Sequence, residues 1–273
     1  MCIEKNVPFT TAFHAQPENL SSHVGLDKVK PVNTAIYKFF LKHFYKYASY
    51  IHCPTQFIAD QLKKNGYEAD LRVISNGVDP VFIPKKVEKP SGEEDKFLIL
   101  NTARISKEKS QEQIIEAVKK SKYSDKIQLF IAGDGPLKSK MERLGSKLKN
   151  PTIISFYSKS ELCSLINSCD LYVHSSYAEI ESIACLEAIS CGLVPIIADS
   201  EMSAARFFAL TENNLYEYGN TDDLAAKIDY MIEHPDEKER LKQQYIQYSE
   251  RFRIEKCIDK MEEMFNDAIN SKK

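Results

Sequence analysis

No apolar run in this chain approaches the ~20 residues that a bilayer-crossing helix needs. Its first residues, "MCIEKNVPF", lack the apolar stretch of a signal peptide. Neither a spanning anchor nor a secretory leader is expected. The seven cysteines (Cys2, Cys53, Cys163, Cys169, Cys185, Cys191 and Cys257) contain no C-x-x-C pair. Scattered, odd in number and partly within apolar stretches, they read as reduced thiols of a cytoplasmic protein, not as a zinc site or a disulfide frame. There is no G-x-G-x-x-G, which counts against a nicotinamide dehydrogenase. Strong charge of either sign is also missing: the net charge of −2 provides no general attraction for nucleic acid.

What remains is an ordinary soluble composition, 43% hydrophobic and 28% charged over 273 residues, enough for two domains. From about residue 96, short apolar runs alternate with helical patterns. "FLILNTAR" (97–104), "IQLFIAGDG" (127–135), "TIISF" (152–156), "LYVHSS" (171–176) and "VPIIADS" (194–200) read as buried strands. Single helical segments separate them, so a parallel sheet covered on both faces, a Rossmann-like doubly wound domain, is expected. Ligands of such sheets bind beyond the carboxyl ends of the strands. The first 80 residues follow the same style with fewer parts: strands at 7–14, 48–55 and "DLRVISNGV", with helices over "NTAIYKFFLKHFYKY" and "TQFIADQLKKNGY". Three strands would leave that sheet incomplete. Residues 81–95, rich in Pro, Lys and Glu, read as a linker. In the final segment, 251–273, Ile254, Cys257, Ile258, Met261, Phe265 and Ile269 recur at helical spacing, so one face must pack on something.

Candidate chemistry collects at the expected sheet edge. "GDGP" (133–136) ends a strand and opens a helix, allowing close backbone approach to a ligand. "ARISKEKS" places Arg104 and Lys109 in another loop there, two cations able to neutralise a diphosphate. In "AEIESIACLEA", Glu179 and Glu187 lie eight residues apart, about 80° out of line on one continuous helix. A helix that starts at Ser182, acting as N-cap, lets both border one pocket at a helix end that favours anions. His14 follows the first strand. His174 reads as structural, and His23, His43, His52 and His234 carry no pattern.

In order, "FHAQPENL", "IHCPTQFIADQLKKNGY", "VISNGVDPVF", "ARISKEKS", "AGDGP" and E-x7-E followed by "AISCGLVPII" resemble the family-4 retaining glycosyltransferases of the GT-B fold. Within that family the chain is most similar to bacterial diacylglycerol glucosyltransferases and polysaccharide-forming enzymes. The resemblance implies an α/β protein of two Rossmann-like domains, the first incomplete at its N-terminal side. Residues 1–80 would be the C-terminal part of the acceptor domain and 96–250 the nucleotide-sugar domain, with the last helix packing back toward the first. It implies transfer from a UDP-sugar to a cell-envelope lipid or polysaccharide with retained configuration and no metal. Arg104 and Lys109 would bind the diphosphate over the helix start at Ser182 and Ile183. Glu187 would hold the ribose and Glu179 the sugar, Gly133 and Gly135 would line the nucleotide, and His14 would stand near the transferring sugar. Where relatives often carry Phe-Gly, this chain has Glu181-Ser182, and Glu181 must point away from the phosphates. The rival readings are a catalytically incomplete nucleotide-sugar-binding fragment, completed by a separate chain, and a sugar-nucleotide epimerase. Lys38, Lys42 and Lys46 form a basic stripe beside Ile36, Phe39, Phe40, Phe44 and Tyr47. Such a helix can rest on the inner face of an anionic membrane, although the aromatics are expected mostly to pack on the sheet.

Overall fold

The structure, a computed structural model, describes residue 5 and residues 7–22 and 29–271; Cys2 and His23 lie outside it. The chain divides into two compact units. Unit one comprises 1–77, 178–181 and 252–273, and unit two comprises 78–177 and 182–251.

Unit one begins with β1 (Thr10–Ala12), α1 (Pro17–Ser22), α2 (Lys30–His43), β2 (Tyr50–Cys53), α3 (Gln56–Lys64) and β3 (Asp70–Val73). Its strands pair in parallel in the order β1-β2-β3, with Ala12 opposite His52 and His52 opposite Arg72. Side chains alternate across a strand, so Phe13 and His14 leave β1 in opposite directions. Phe13 is fully buried and stacks on Tyr37, the inward residue of α2, at 5.9 Å. The Tyr67 hydroxyl donates to the Tyr37 carbonyl at 2.9 Å. Thr55 caps α3 by accepting from the Ile58 N–H. α2 is shorter than its aromatic pattern suggested: it ends at His43, and Tyr45–Tyr47 form a separate 3-10 turn.

Unit two runs β4 (Phe97–Thr102), α4 (Gln111–Lys120), β5 (Ile127–Ala132), α5 (Lys138–Gly145), β6 (Ile153–Ser155), α6 (Lys159–Ser168), β7 (Leu171–His174), α7 (Ile183–Ser190), β8 (Pro195–Asp199), β9 (Leu215–Glu217), α8 (Thr221–Glu233) and α9 (Pro235–Ser249). Each strand expected from 96 to 200 is present. β9 is an addition: "LYE" is short and half polar, and it becomes a strand only by pairing with β8. All pairings are parallel, in the order β6-β5-β4-β7-β8-β9. Renumbered from β4, this is the 3-2-1-4-5-6 order of a doubly wound nucleotide-binding sheet, with its reversal between β4 and β7. The central strands β5 and β7 are buried on both faces, as near-continuous apolar runs require, while the outer strands β6 and β9 are partly exposed.

The last helix, α10 (Ile254–Asn270), returns to unit one. Cys257 and Met264 bury against Ile74, with Tyr50 and Met261 alongside. Arg72 ties the helix to β3, pairing with Asp70 at 2.9 Å and with Asp267 at 2.8 Å.

Candidate active site

At the reversal between β4 and β7, the edge where doubly wound sheets hold ligands, the two strands part for a local reason. Their register covers only Ile99–Leu171 and Leu100–Tyr172. Beyond it the buried Asn101 side-chain amide takes over, donating to the Val173 carbonyl at 2.8 Å. The two strands then lead into separate loops, which are fastened to each other. Ser175 Oγ donates to the Lys109 carbonyl at 2.7 Å, and the Tyr177 N–H donates to the Glu108 carbonyl at 2.8 Å. The loop after β4 carries Arg104, exposed, and Lys109, half-buried. The loop after β7 feeds α7. Chain order alone separates these loops by more than sixty residues; the topology joins them.

Gly133 and Gly135 serve this loop in a way the sequence did not suggest. A Cβ on Gly133 would stand 2.0 Å from the Ala103 carbonyl oxygen, and one on Gly135 would stand 2.3 Å from that of Ile105. The space that a side chain would occupy is taken by protein backbone. The Ile105 N–H donates to the Asp134 carbonyl at 2.8 Å, and the Leu137 N–H donates to the Ile105 carbonyl at 3.1 Å. The bare glycines therefore seat the Arg104 loop.

Ser182 is the residue before α7, but its side chain makes no capping bond. The expectation of a serine N-cap is corrected here. With φ 67° and ψ 71° it occupies the left-handed region, and its hydroxyl stands 3.5 Å from His174 Nδ1 instead. The turn is one that glycine makes without strain. Following it, the Ile183 and Ala184 N–H groups have no preceding turn of helix to bond, as at any helix start.

Glu187 lies one turn in and is half-buried. Burial pushes its carboxyl up to about 7, against the opposing pull of the Lys159 ammonium; Asp79 adds to the rise. Lys159 and Asp79 form an ion pair of 2.6 Å. Neither carried any mark in the sequence, because a single lysine opening a helix and a single aspartate in "NGVDP" have no spacing to betray them.

Arg104, Lys109, Gly133, Gly135, Ser182, Ile183 and Glu187 thus all belong to the carboxyl edge of one sheet in unit two. His14 and Glu179 belong to unit one. The strap bearing Glu179 is held there at two points. Thr55 Oγ1 donates to the Ile180 carbonyl at 2.9 Å, and Glu181 accepts from the Asn76 N–H at 3.0 Å and from its amide at 2.7 Å. Burial raises the Glu181 carboxyl above its usual range while these bonds oppose the rise. His14 is exposed, and its Nε2 stands 3.4 Å from Nδ1 of the buried His52, a residue sequence reasoning passed over. Among the described residues no three His, Cys, Asp or Glu side chains converge as a metal site.

Residues 83–251 match the family described as Glycosyl transferases group 1, and residues 1–82 match Glycosyltransferase Family 4. The chain is 43% identical to the catalytic domain of cholesterol-alpha-glucosyltransferase from Helicobacter pylori, over 57% of this chain and 98% of that one, with a TM-score of 0.56. It superposes on Alr3699/HepE from Anabaena, solved with UDP-glucose, with a TM-score of 0.79 over 97% of this chain and 74% of that one, at 18% identity. The alpha-monoglucosyldiacylglycerol synthase of Streptococcus pneumoniae is 22% identical over 86% of this chain and 56% of its own length. The chain spans about half the length of the curated relatives it matches. With a family match over most of unit two and GT-B structures as its neighbours, this α/β chain belongs to the group 1 glycosyl transferases.

Proposed function

We propose that this chain transfers a glucosyl group from UDP-glucose to a lipid hydroxyl, retaining the anomeric configuration. The observation that carries the reading is the strand-order reversal between β4 and β7, with Arg104 and Lys109 on the loop after β4 and the start of α7 at the end of the loop after β7, the two loops hydrogen-bonded to each other. The donor diphosphate lies over the Ile183 and Ala184 N–H groups, where the helix end favours an anion. Arg104 and Lys109 then meet the negative charge that grows on the departing UDP, a stabilisation aimed at the transition state. Glu187 accepts hydrogen bonds from the ribose hydroxyls. It does not serve as a nucleophile, and the charge balance on UDP rests on the two cations and the helix amides.

The lipid acceptor is supported by two kinds of relative, alpha-monoglucosyldiacylglycerol synthase and cholesterol-alpha-glucosyltransferase. It is also supported by α2 and the turn after it. Phe39, Phe44 and Tyr47 are 53%, 59% and 51% exposed, contrary to the expectation that the aromatics pack mostly on the sheet. They stand among Lys38, Lys42 and Lys46, and no acidic residue occurs between Lys30 and Tyr47. A basic aromatic surface of this composition suits the anionic inner face of a cell membrane, where lipid acceptors reside.

Titration calorimetry with UDP tests the donor site. Combining Arg104→Ala with Lys109→Ala removes two charge-assisted contacts of about 1.5–3 kcal/mol each, so binding weakens by ~3 kcal/mol or more. Equal affinity in the double variant removes the assignment. Incubation with UDP-glucose and diacylglycerol or sterol in mixed micelles, followed by anomer analysis of the glycolipid, tests the transfer. Binding without product assigns the chain to nucleotide-sugar binding alone.

A further inference from the structure

The hydrogen-bond partners of the paired imidazoles of unit one determine which ring nitrogens carry protons. His52 lies on β2 and is 5% exposed. Its Nε2 stands 2.6 Å from the Ile74 carbonyl oxygen, just past the end of β3. A carbonyl oxygen can only accept, so His52 Nε2 carries the proton. In a neutral ring the other nitrogen, Nδ1, is then bare and can only accept. His14 Nε2 faces that atom at 3.4 Å, with the rings edge to face at 5.3 Å, so His14 Nε2 is the donor. The proton order runs from His14 Nε2–H to His52 Nδ1, and from His52 Nε2–H to the Ile74 oxygen. What remains is His14 Nδ1, an acceptor.

The sheet builds this row. Ala12 pairs with His52, and alternation puts Ala12 and His14 on one face of β1. The His14 ring therefore falls diagonally beside that of His52. The Phe13 N–H donates to the His52 carbonyl at 2.9 Å, and the Ile74 N–H donates to the Cys53 carbonyl at 3.0 Å. These bonds carry the ladder to the place where the imidazoles meet. Ile74 is itself held in the core by Cys257 and Met264. The row crosses the carboxyl ends of all three strands, the edge at which parallel sheets hold ligands. Partial burial and the neighbouring His52 also keep the His14 imidazole below its ordinary pKa, in line with a neutral ring.

We infer that His52 is a positioning residue for His14: it holds the His14 ring neutral in its Nε2–H form, with Nδ1 presented at the carboxyl edge of this sheet to accept a hydrogen bond from a substrate hydroxyl. The substrate contact rests on the glycosyltransferase reading above; the coupling of the two rings does not. Long-range nitrogen–proton NMR of the ring nitrogens in the full chain reads that coupling directly. The expected spectrum shows both residues as single Nε2–H forms, each with an observable, slowly exchanging ring proton. In His52→Phe the His14 ring proton exchanges too fast to be seen. In His52→Gln, whose amide can donate to Ile74 and accept from His14, it returns. Amide resonances of β1 and α3 report that each variant is folded. A His14 ring protonated at Nδ1 in the wild type overturns the inference, as does a His14 signal indifferent to His52→Phe in a folded chain. Failure to form glycolipid overturns the transferase reading while leaving this readout intact.

Discussion

Ser182 and Glu187 show how single residues on α7 carry opposed demands. Ser182 holds a left-handed backbone at φ 67° without the benefit of a side-chain cap. Replacing it with glycine removes steric strain of ~1–2 kcal/mol, offset in part by the freer unfolded chain. Ser182→Gly is therefore expected to stabilise unit two by about 1 kcal/mol, raising Tm by roughly 2–4 °C in calorimetry; a lower Tm contradicts the strain. Glu187 acts through protons. Burial pushes its folded carboxyl up to about 7, against 4.5 when unperturbed. Between those values the folded chain holds a proton that the unfolded chain has lost, so stability falls as pH rises through that window. The whole shift would convert to ~3 kcal/mol, and partial contact with solvent reduces this to ~1–2 kcal/mol. Urea unfolding at pH 5 and pH 8 should show this loss in the wild type, and Glu187→Gln should abolish most of it. Equal pH slopes in the two proteins count against a raised carboxyl.

At the scale of elements, the loop after β4 depends on the loop after β5 for its shape. The Cβ of an alanine at 135 would meet the Ile105 carbonyl at 2.3 Å and its nitrogen at 2.7 Å, both backbone atoms that cannot swing aside. Gly135→Ala is expected to cost ~2 kcal/mol or more by forced displacement. UDP affinity should fall with it, because the displaced segment adjoins Arg104. A variant that melts like the wild type and binds UDP equally would show that the two loops are not coupled. These loops were legible as separate pieces: strand, glycine turn and helix start all have local signals. Their mutual dependence was not, since no spacing relates Gly135 to Ile105. Glu181 is a similar case. The sequence required only that it avoid the phosphates, while the fold engages it with Asn76, more than a hundred residues earlier.

For the whole molecule, the surface of unit one around α2 bears on whether the chain binds an anionic membrane. Three large aromatics stand exposed among three lysines, each lysine contributing ~1 kcal/mol near an anionic surface. Sedimentation with vesicles containing anionic lipid should bring down the wild-type chain, and vesicles of neutral lipid should bring down much less. Replacing Lys38, Lys42 and Lys46 together with glutamate should keep the chain in the supernatant. Equal partition of both proteins, in either fraction, removes the membrane from the account.

The sequence by itself determined the parts that repeat locally. Apolar runs alternating with helical stretches specified a doubly wound sheet, because burial on both faces demands that pattern of each strand separately. The order of the motifs specified the family, since each motif is contiguous. The tertiary structure alone decided which motifs meet. The β4-to-β7 reversal, the backbone packing behind two glycines, the left-handed Ser182 and the row from His14 through His52 to Ile74 all arise between residues distant along the chain or from backbone angles. Hydrogen bonds and steric contacts act over a few ångströms of space, and linear spacing does not record that distance once the strands have paired.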